Sequence, residues 1–588
     1  MSTQRIAIID REKCMPEKCS QECHRFCPRV RAGDEETVIV RGEFAEISEV
    51  LCIGCGICVK KCPKKAITIV NLSHELEEPV HQYGKNAFRV YNLPIPVRGK
   101  VTGLLGANGI GKTTALKILS GHIKPNLGKF DDAPDWDEII LRFRGTEIQN
   151  YLVDLRDNKV KAIYKPQQVD MIAKMYAGKK VKDVVKDERG LMGDVVKKLE
   201  VEHVLERELC ELSGGELQRV AILAAVLREG DVYYFDEPSS FLDIRHRLIV
   251  AKLICELADS GKAVMVVEHD LATLDYVCDV IHIVYGRASA YGVISTIYSS
   301  RRGVNTYLSG YIKDSNVRFR DAALSFMAKG QIFKGSDKAL DYPDIEVKFD
   351  KFDLKVDSGH LYAGEIVGVF GANALGKTTL AKVFAGEIKP KKGKVNKKVM
   401  IAYKPQYVVG DYEGSVHELL LQKCEGFGTA KFKQEIVKPF ELDALLENYV
   451  SELSGGELQR VAVAICLAQV VDFYLIDEPS AYLDVEERVK LAKIIRRFIE
   501  VNKKTCMVID HDMMLLNYIS DRAVIFLGEP GVSGHAKAAV PLHEGMNVFL
   551  KSLGITFRKE QETGRPRANK LGSQQDEKQK AKGEYYCV

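Results

Sequence analysis

The sequence predicts an α/β chain in which two phosphate-binding domains follow one another behind a small cysteine-rich domain. Three observations carry this reading. Two glycine-rich loops, GANGIGKTT (106–114) and GANALGKTT (371–379), each follow an apolar strand-like run and open a helix-like one. The segments around them recur in one order: YKPQ at 164–167 and 403–406, LSGGELQRVA at 212–221 and 453–462, and an apolar run ending in Asp-Glu-Pro at 236–238 and 477–479. Eight of the fifteen cysteines lie within the first 62 residues.

A chain of 588 residues suits several domains at ~100–200 residues each. The expected division is a ferredoxin-like unit over 1–75, a first phosphate-binding half over 76–312, a hinge at 313–325, a second half over 326–550 and a tail over 551–588. The stretch from Lys112 to Gln167 is longer than that from Lys377 to Gln406. The surplus lies near 130–155, where apolar residues at helical spacing flank Gly145, predicting two short helices joined by a loop. Composition alone reads the tail as disordered, because RKEQETGRPRANKLGSQQDEKQKAKGE is nearly devoid of apolar residues. The longest apolar run, VAVAICLAQVV at 461–471, falls short of the ~18 residues of a membrane span. The N-terminus lacks the layout of a secretory signal, so a cytoplasmic protein is expected, and its cysteines then point to metal or redox sites rather than disulfides. A net charge of +4 names no partner.

The second cysteine group, Cys52, Cys55, Cys58 and Cys62 followed by Pro63, has the C-x₂-C-x₂-C-x₃-C-P spacing of bacterial ferredoxins, in which the fourth cysteine ligates the other cluster. The first group, Cys14, Cys19, Cys23 and Cys27 followed by Pro28, is spaced more loosely. Crossed ligation predicts one [4Fe–4S] cluster on Cys14, Cys19, Cys23 and Cys62 and another on Cys52, Cys55, Cys58 and Cys27. Two four-cysteine zinc sites are the alternative, disfavoured by the Cys-Pro endings.

Each glycine-rich loop fits the P-loop pattern, whose backbone amides wrap a β-phosphate while the lysine meets the β/γ charge and the next hydroxyl meets Mg²⁺. Gly109 of the first loop is Ala374 in the second, and alanine resists the positive φ that glycine accepts. Asp236 and Asp477 end buried-strand runs, from which a carboxylate reaches the metal's water shell. The following Glu237 and Glu478 are placed to polarise an attacking water, and His269 and His511 to contact the γ-phosphate.

With LSGGE and the FLD and YLD segments, these motifs resemble the ATP-binding-cassette family. That resemblance implies two cassettes arranged head to tail, each ATP lying between the P-loop of one and the LSGG of the other. Site one would comprise Gly106, Asn108, Gly109, Gly111, Lys112, Thr113, Thr114, Gln167, Asp236, Glu237 and His269, with Ser454, Gly455, Gly456 and Asp484 opposite. Site two would comprise Gly371, Asn373, Gly376, Lys377, Thr378, Thr379, Gln406, Asp477, Glu478 and His511, with Ser213, Gly214, Gly215 and Asp243 opposite. Thr113 and Gln167, and Thr378 and Gln406, would face Mg²⁺. Adenine-stacking aromatics are expected upstream of each P-loop, at Tyr83 and Phe88 in the first copy and Tyr342 or Phe349 in the second.

A two-cluster ferredoxin unit fused to tandem cassettes, with an insertion in the first, the basic run KKCPKK, the connector NVRFR and the tail TGRPRANK…GEYY, resembles the ABC subfamily E of ribosome-recycling factors, the RNase L inhibitor family. This implies a monomeric ATPase that splits ribosomes and acts with a release factor or its stalled-ribosome counterpart. It further implies retention on the small subunit and its rRNA, links to initiation factors, and a tail packed at the hinge. An ATP-coupled redox protein is the alternative, opposed by the lack of any flavin or haem motif. A transporter subunit is a third reading, opposed by the ferredoxin unit.

Overall fold

A computed structural model describes residues 4–11, 13–72, 78–325, 337–393, 399–406 and 410–587. The expected limits at 75/76 and 326 lie outside these residues. The chain forms two compact units. The first comprises Met1–Phe241, Ile249–His269 and Val277–Asp321, and the second Leu242–Leu248, Asp270–Tyr276 and Ala322–Val588.

In the first unit, strand Gln4–Ile9 pairs antiparallel with Ile67–Leu72, and Val38–Arg41 with Phe44–Ile47. Ala7, Ile9, Val38, Ala45, Ile47 and Ile67 form a small core against which Cys14, Cys27, Cys52, Cys58 and Cys62 pack. This module docks on the first cassette through two surfaces. Ile6, Ile8 and Val70 meet Tyr91, Ala290 and Val293 in an apolar cluster. Buried Asn86 donates to Ala7 O (2.9 Å) and accepts from Ile47 N (2.8 Å), so its amide is paired on both sides across the seam.

The cassette sheet has the order His81–Gln82, Arg89–Tyr91, Tyr291–Ser299, Val280–Arg287, Val101–Leu105, Ala263–Val267, Val232–Asp236, Ala162–Lys165. The last four strands and Val280–Arg287 run parallel, so Gly106, His269, Glu237 and Gln167 all emerge at the carboxyl edge, where open α/β sheets bind ligands. These strands are apolar on both faces because helices cover both, as with VYYFD and AVMVV, every residue of which is buried.

The insertion forms helices Trp136–Arg142 and Glu147–Arg156 on either side of Gly145, as the apolar spacing predicts. Ile139, Ile140, Phe143, Ile148 and Leu152 belong to the cassette core, and Tyr151 Oη donates to Leu119 O at 2.6 Å. The insertion is therefore part of the domain's packing rather than an appended paddle.

The second unit repeats the sheet: Ile345–Lys348, Asp353–Val356, Ser533–Ala536, Arg522–Glu529, Ile366–Phe370, Thr505–Ile509, Phe473–Asp477, Ile401–Lys404. The tail overturns its compositional reading, for it folds. Strands Phe557–Lys559, Pro566–Ala568 and Tyr586–Cys587 form a sheet beside helix Gln574–Lys582. Polar residues build its core: Asp576 accepts from Thr556 (2.7 Å), and Asn569 donates to Thr556 (2.8 Å) and Gln579 (2.5 Å). Arg565, fully buried, pairs with Asp275. An arginine that finds a buried carboxylate does not need apolar neighbours in sequence to become interior.

Candidate functional site

Each P-loop bends from its strand into a helix, Lys112–Leu119 or Lys377–Phe384, through a glycine at φ 93° or 90°. The lysine folds over its own loop: Lys112 Nζ donates to Gly106 O (2.9 Å) and Ala107 O (2.5 Å), and Lys377 Nζ to Gly371 O and Ala372 O (both 2.8 Å). Ala374 takes φ 57° where Gly109 takes 70°, so the second loop holds an alanine in the left-handed region.

The carboxylates converge as the motif order predicts. Thr378 Oγ1 donates to Asp477 Oδ2 at 2.8 Å, and Thr113 bonds Asp236. Gln167 Nε2 donates to Glu237 Oε1 (2.7 Å) and Gln406 Nε2 to Glu478 Oε1 (2.8 Å). His269 Nε2 lies 3.2 Å from Glu237 Oε1, and His511 Nε2 3.4 Å from Glu478 Oε1. The two acids of each pair are driven apart in acidity. Burial pushes Asp236 above the usual carboxylate range, against the Thr113 hydrogen bond, and pushes Asp477 up to about 6. Burial works the same way on Glu237 and Glu478, but hydrogen bonds and charge from His269 and His511, with Lys112 and Lys377, hold both at about 2. The glutamates are thus ionised at neutral pH, as water-orienting groups must be. The remaining oxygen of each aspartate, Oδ1 of Asp236 and of Asp477, is buried without a hydrogen-bond partner. A buried, unmet carboxylate oxygen beside a P-loop hydroxyl suits a divalent cation.

Ser213 and Ser454 each cap a thirteen-residue helix, Gly214–Val226 and Gly455–Leu467, in a capping box with Glu216 and Glu457. This aims a helix N-terminus and its free amides outward, the local arrangement that receives phosphate. Asp243 lies in the second unit, where its Oδ2 accepts from Asn373 N at 2.7 Å and its Oδ1 from His246 Nδ1 at 2.7 Å. Burial alone would push its pKa up, but the hydrogen bond and charge of His246 outweigh it and hold the carboxyl well below the usual carboxylate range, ionised.

The aromatic expectations divide. Tyr83 and Phe349 occupy equivalent turns, each 48% exposed, with Tyr83 N donating to Phe88 O and Phe349 N to Phe352 O. Phe88 lies against Gly111, and Phe352, which sequence reasoning missed, lies against Gly376. Tyr342 is corrected: it is a core residue packed edge-on against Phe384 and cannot stack on a ligand. Lys165, Lys404, Gln218 and Gln459 were also missed, although YKPQ and GELQ repeat in both copies.

Cys14, Cys19, Cys23 and Cys62 line one cavity, with Pro16, Pro63 and Ile67. Cys52 has Cys27 and Cys55 as its interacting thiols, and Cys58 has Cys52, Cys55 and Cys23. Among the described residues no three His, Cys, Asp or Glu side chains gather tightly enough for a single metal ion. Four thiols around one cavity fit an iron–sulfur cluster.

Three family models match: ABC transporter at 93–240 and 354–481, a possible Fer4-like domain in RNase L inhibitor at 4–35, and the 4Fe–4S binding domain at 45–68. An ABC transporter ATP-binding protein of Methanocaldococcus jannaschii is 50% identical, covering 99% of this chain and 98% of its own. Translation initiation factor RLI1 of Saccharomyces cerevisiae is 46% identical over 99% and 98%, and ABC transporter E family member 1 of Arabidopsis thaliana 43% over 99% of each. The chain belongs to the ABC E family. Among solved structures, a model of ribosome-bound archaeal Pelota and ABCE1 aligns at TM-score 0.93 and 49% identity over 100% of both chains. A complex of archaeal ribosomal stalk protein aP1 with the recycling factor aABCE1 aligns at 0.83 and 48%, over 88% of this chain and 100% of that one. As an ABC E protein the chain is an α/β tandem-cassette ATPase with a 4Fe–4S domain. No helix among the described residues is long and apolar enough to cross a membrane.

Proposed function

We propose that this ABC E protein splits post-termination or stalled ribosomes into subunits, driven by ATP binding and hydrolysis in its two cassettes. The observation that carries this reading is the coexistence of two full sets of hydrolytic residues with a cysteine module docked through Asn86 on the first cassette. The relatives named for ribosome-bound and recycling factors support the choice of target. The partners are then the small subunit and its rRNA, with a release or rescue factor in the A site.

In this reading the P-loop amides, Lys112 and Lys377 hold nucleotide, and Tyr83 and Phe349 offer ring faces to adenine. Thr113, Gln167 and Asp236, and Thr378, Gln406 and Asp477, would hold Mg²⁺, which neutralises phosphate charge when bound. Glu237 and Glu478 orient water, with His269 and His511 keeping them ionised. Nucleotide-dependent closure moves the iron–sulfur module, whose two clusters, on the crossed cysteine sets, act as rigid staples. Shifting a 1:99 equilibrium to 99:1 takes ~5.5 kcal/mol, or ~2.7 for each of two nucleotides, a demand two tightly bound ATP molecules meet.

Sucrose-gradient sedimentation of ribosomes with wild-type, Cys55→Ser and Cys58→Ser proteins tests this. Splitting should be lost in both variants while ATP hydrolysis survives, and wild type should split with its clusters in one oxidation state. Splitting that needs a supplied reductant and tracks cluster oxidation would favour the redox reading.

A further inference from the structure

The two catalytic glutamates share a backbone peculiarity: Glu237 and Glu478 both sit at φ 47°, in the left-handed region that L side chains avoid. Such a conformation persists only where its surroundings over-determine it. In each cassette four bonds do so. Glu237 N donates to Val267 O (3.0 Å), Lys165 Nζ to Asp236 O (3.0 Å) and to Glu237 O (3.4 Å), and Gln218 Nε2 to Glu237 O (2.7 Å). Glu478 N donates to Ile509 O (2.7 Å), Lys404 Nζ to Asp477 O (2.7 Å) and Glu478 O (3.2 Å), and Gln459 Nε2 to Glu478 O (2.5 Å).

The lysines are 1% and 2% exposed and the glutamines 0% and 2%. Burying an ammonium is costly, and a methionine would fill the same space without that cost. Yet the lysine stands at the same place in both copies, aimed at main-chain carbonyls. Those carbonyls belong to the metal-facing aspartate and the water-orienting glutamate, so the charge fixes the peptide that joins them. The two tethers start from different elements. Lys165 ends the strand that leads to Gln167, and Gln218 lies on the helix that Ser213 caps.

Resting on the ATPase reading above, we propose that Lys165 with Gln218, and Lys404 with Gln459, are positioning pairs. They lock the strained peptide of the catalytic glutamate so that its carboxylate is aimed for hydrolysis, and they tie that aim to the helix that Ser213 or Ser454 caps in the same cassette.

The test is a cycle in the full-length protein: Lys165→Met with Lys404→Met, Glu237→Gln with Glu478→Gln, and the four changes together. Steady-state ATPase is read with nucleotide affinity measured by a fluorescent ATP analogue. The lysine variant should lose ~10²-fold in kcat, the scale for a misaimed group, with affinity within about threefold of wild type. Added to the glutamate variant, it should cost nothing more, because the group it aims is gone. Gln218→Leu with Gln459→Leu keeps the lysines and should show the same pattern, which carries the test if the lysine variant fails to fold. Unchanged kcat, affinity lost in parallel with rate, or a further full loss in the glutamate background would overturn the inference. Wild-type turnover by the glutamate variant alone would instead overturn the catalytic assignment beneath it.

Discussion

Replacing Arg565 by methionine tests whether the polar tail is held by one buried charge pair. Both Arg565 and Asp275 have side chains at 0% exposure, so removing either leaves the other's charge in the interior. An uncompensated buried charge costs ~3–5 kcal/mol. The two directions are unequal. Arg567 Nε lies 3.4 Å from Asp275 Oδ1, so in Arg565→Met the carboxylate keeps a second cation and the cost falls near ~3 kcal/mol. In Asp275→Asn the arginine, whose Nε and Nη2 have no hydrogen-bond partner, loses its counter-charge, and the cost rises toward ~5 kcal/mol. Hydrogen exchange of the amides in Phe557–Lys559 and Gln574–Lys582 reads the opening of the tail. A ~3 kcal/mol loss should speed it ~10²-fold. The double variant Arg565→Met/Asp275→Leu, which removes both charges, should recover most of the protection. Unchanged exchange in the single variants, or a double variant worse than either, would refute the reasoning.

Changing Glu237 or Glu478 to glutamine should slow turnover at that site by ~10²–10⁴-fold while ATP still binds, seen by comparing ATPase rates with nucleotide affinity. Ala374→Gly should stabilise the second unit by ~0.5–1 kcal/mol, relief of the left-handed alanine outweighing the added chain entropy, and a lowered denaturant midpoint would contradict this. Burial pushes Glu365 up to about 7, against 4.5 for a free glutamate. The folded chain therefore holds that proton to higher pH than the unfolded chain, so stability falls as pH rises between those values, by up to ~3 kcal/mol. Glu365→Gln should flatten that slope in thermal melts taken across the range. Deleting 130–155 would open the core around Ile139 and Leu152, so the surface of the insertion is better probed by Leu141→Asp with Arg144→Glu, both exposed. Binding to small subunits in a gradient should weaken while basal ATPase is kept.

The sequence by itself determined the chemistry that local pattern carries. Loop, strand and helix must adjoin for a P-loop to work, so GANGIGKTT between an apolar run and a helical one placed itself. Duplication then fixed each partner motif by order, and the cysteine spacing matched the bacterial ferredoxin run, whose fourth cysteine ligates the other cluster, so crossed ligation was the expectation. What it could not set were features built from residues far apart. Lys165 and Gln218 look like an ordinary surface lysine and a helical glutamine until two strands and a helix bring them to one carbonyl. Tyr342 and Phe349 both look like stacking aromatics, and only the hairpin register sends the first into the core and leaves the second at the turn. The tail looks disordered because composition counts apolar side chains, whereas its fold rests on buried Asp275, Thr556 and Asp576, polar groups that become interior only by meeting one another across tertiary distance.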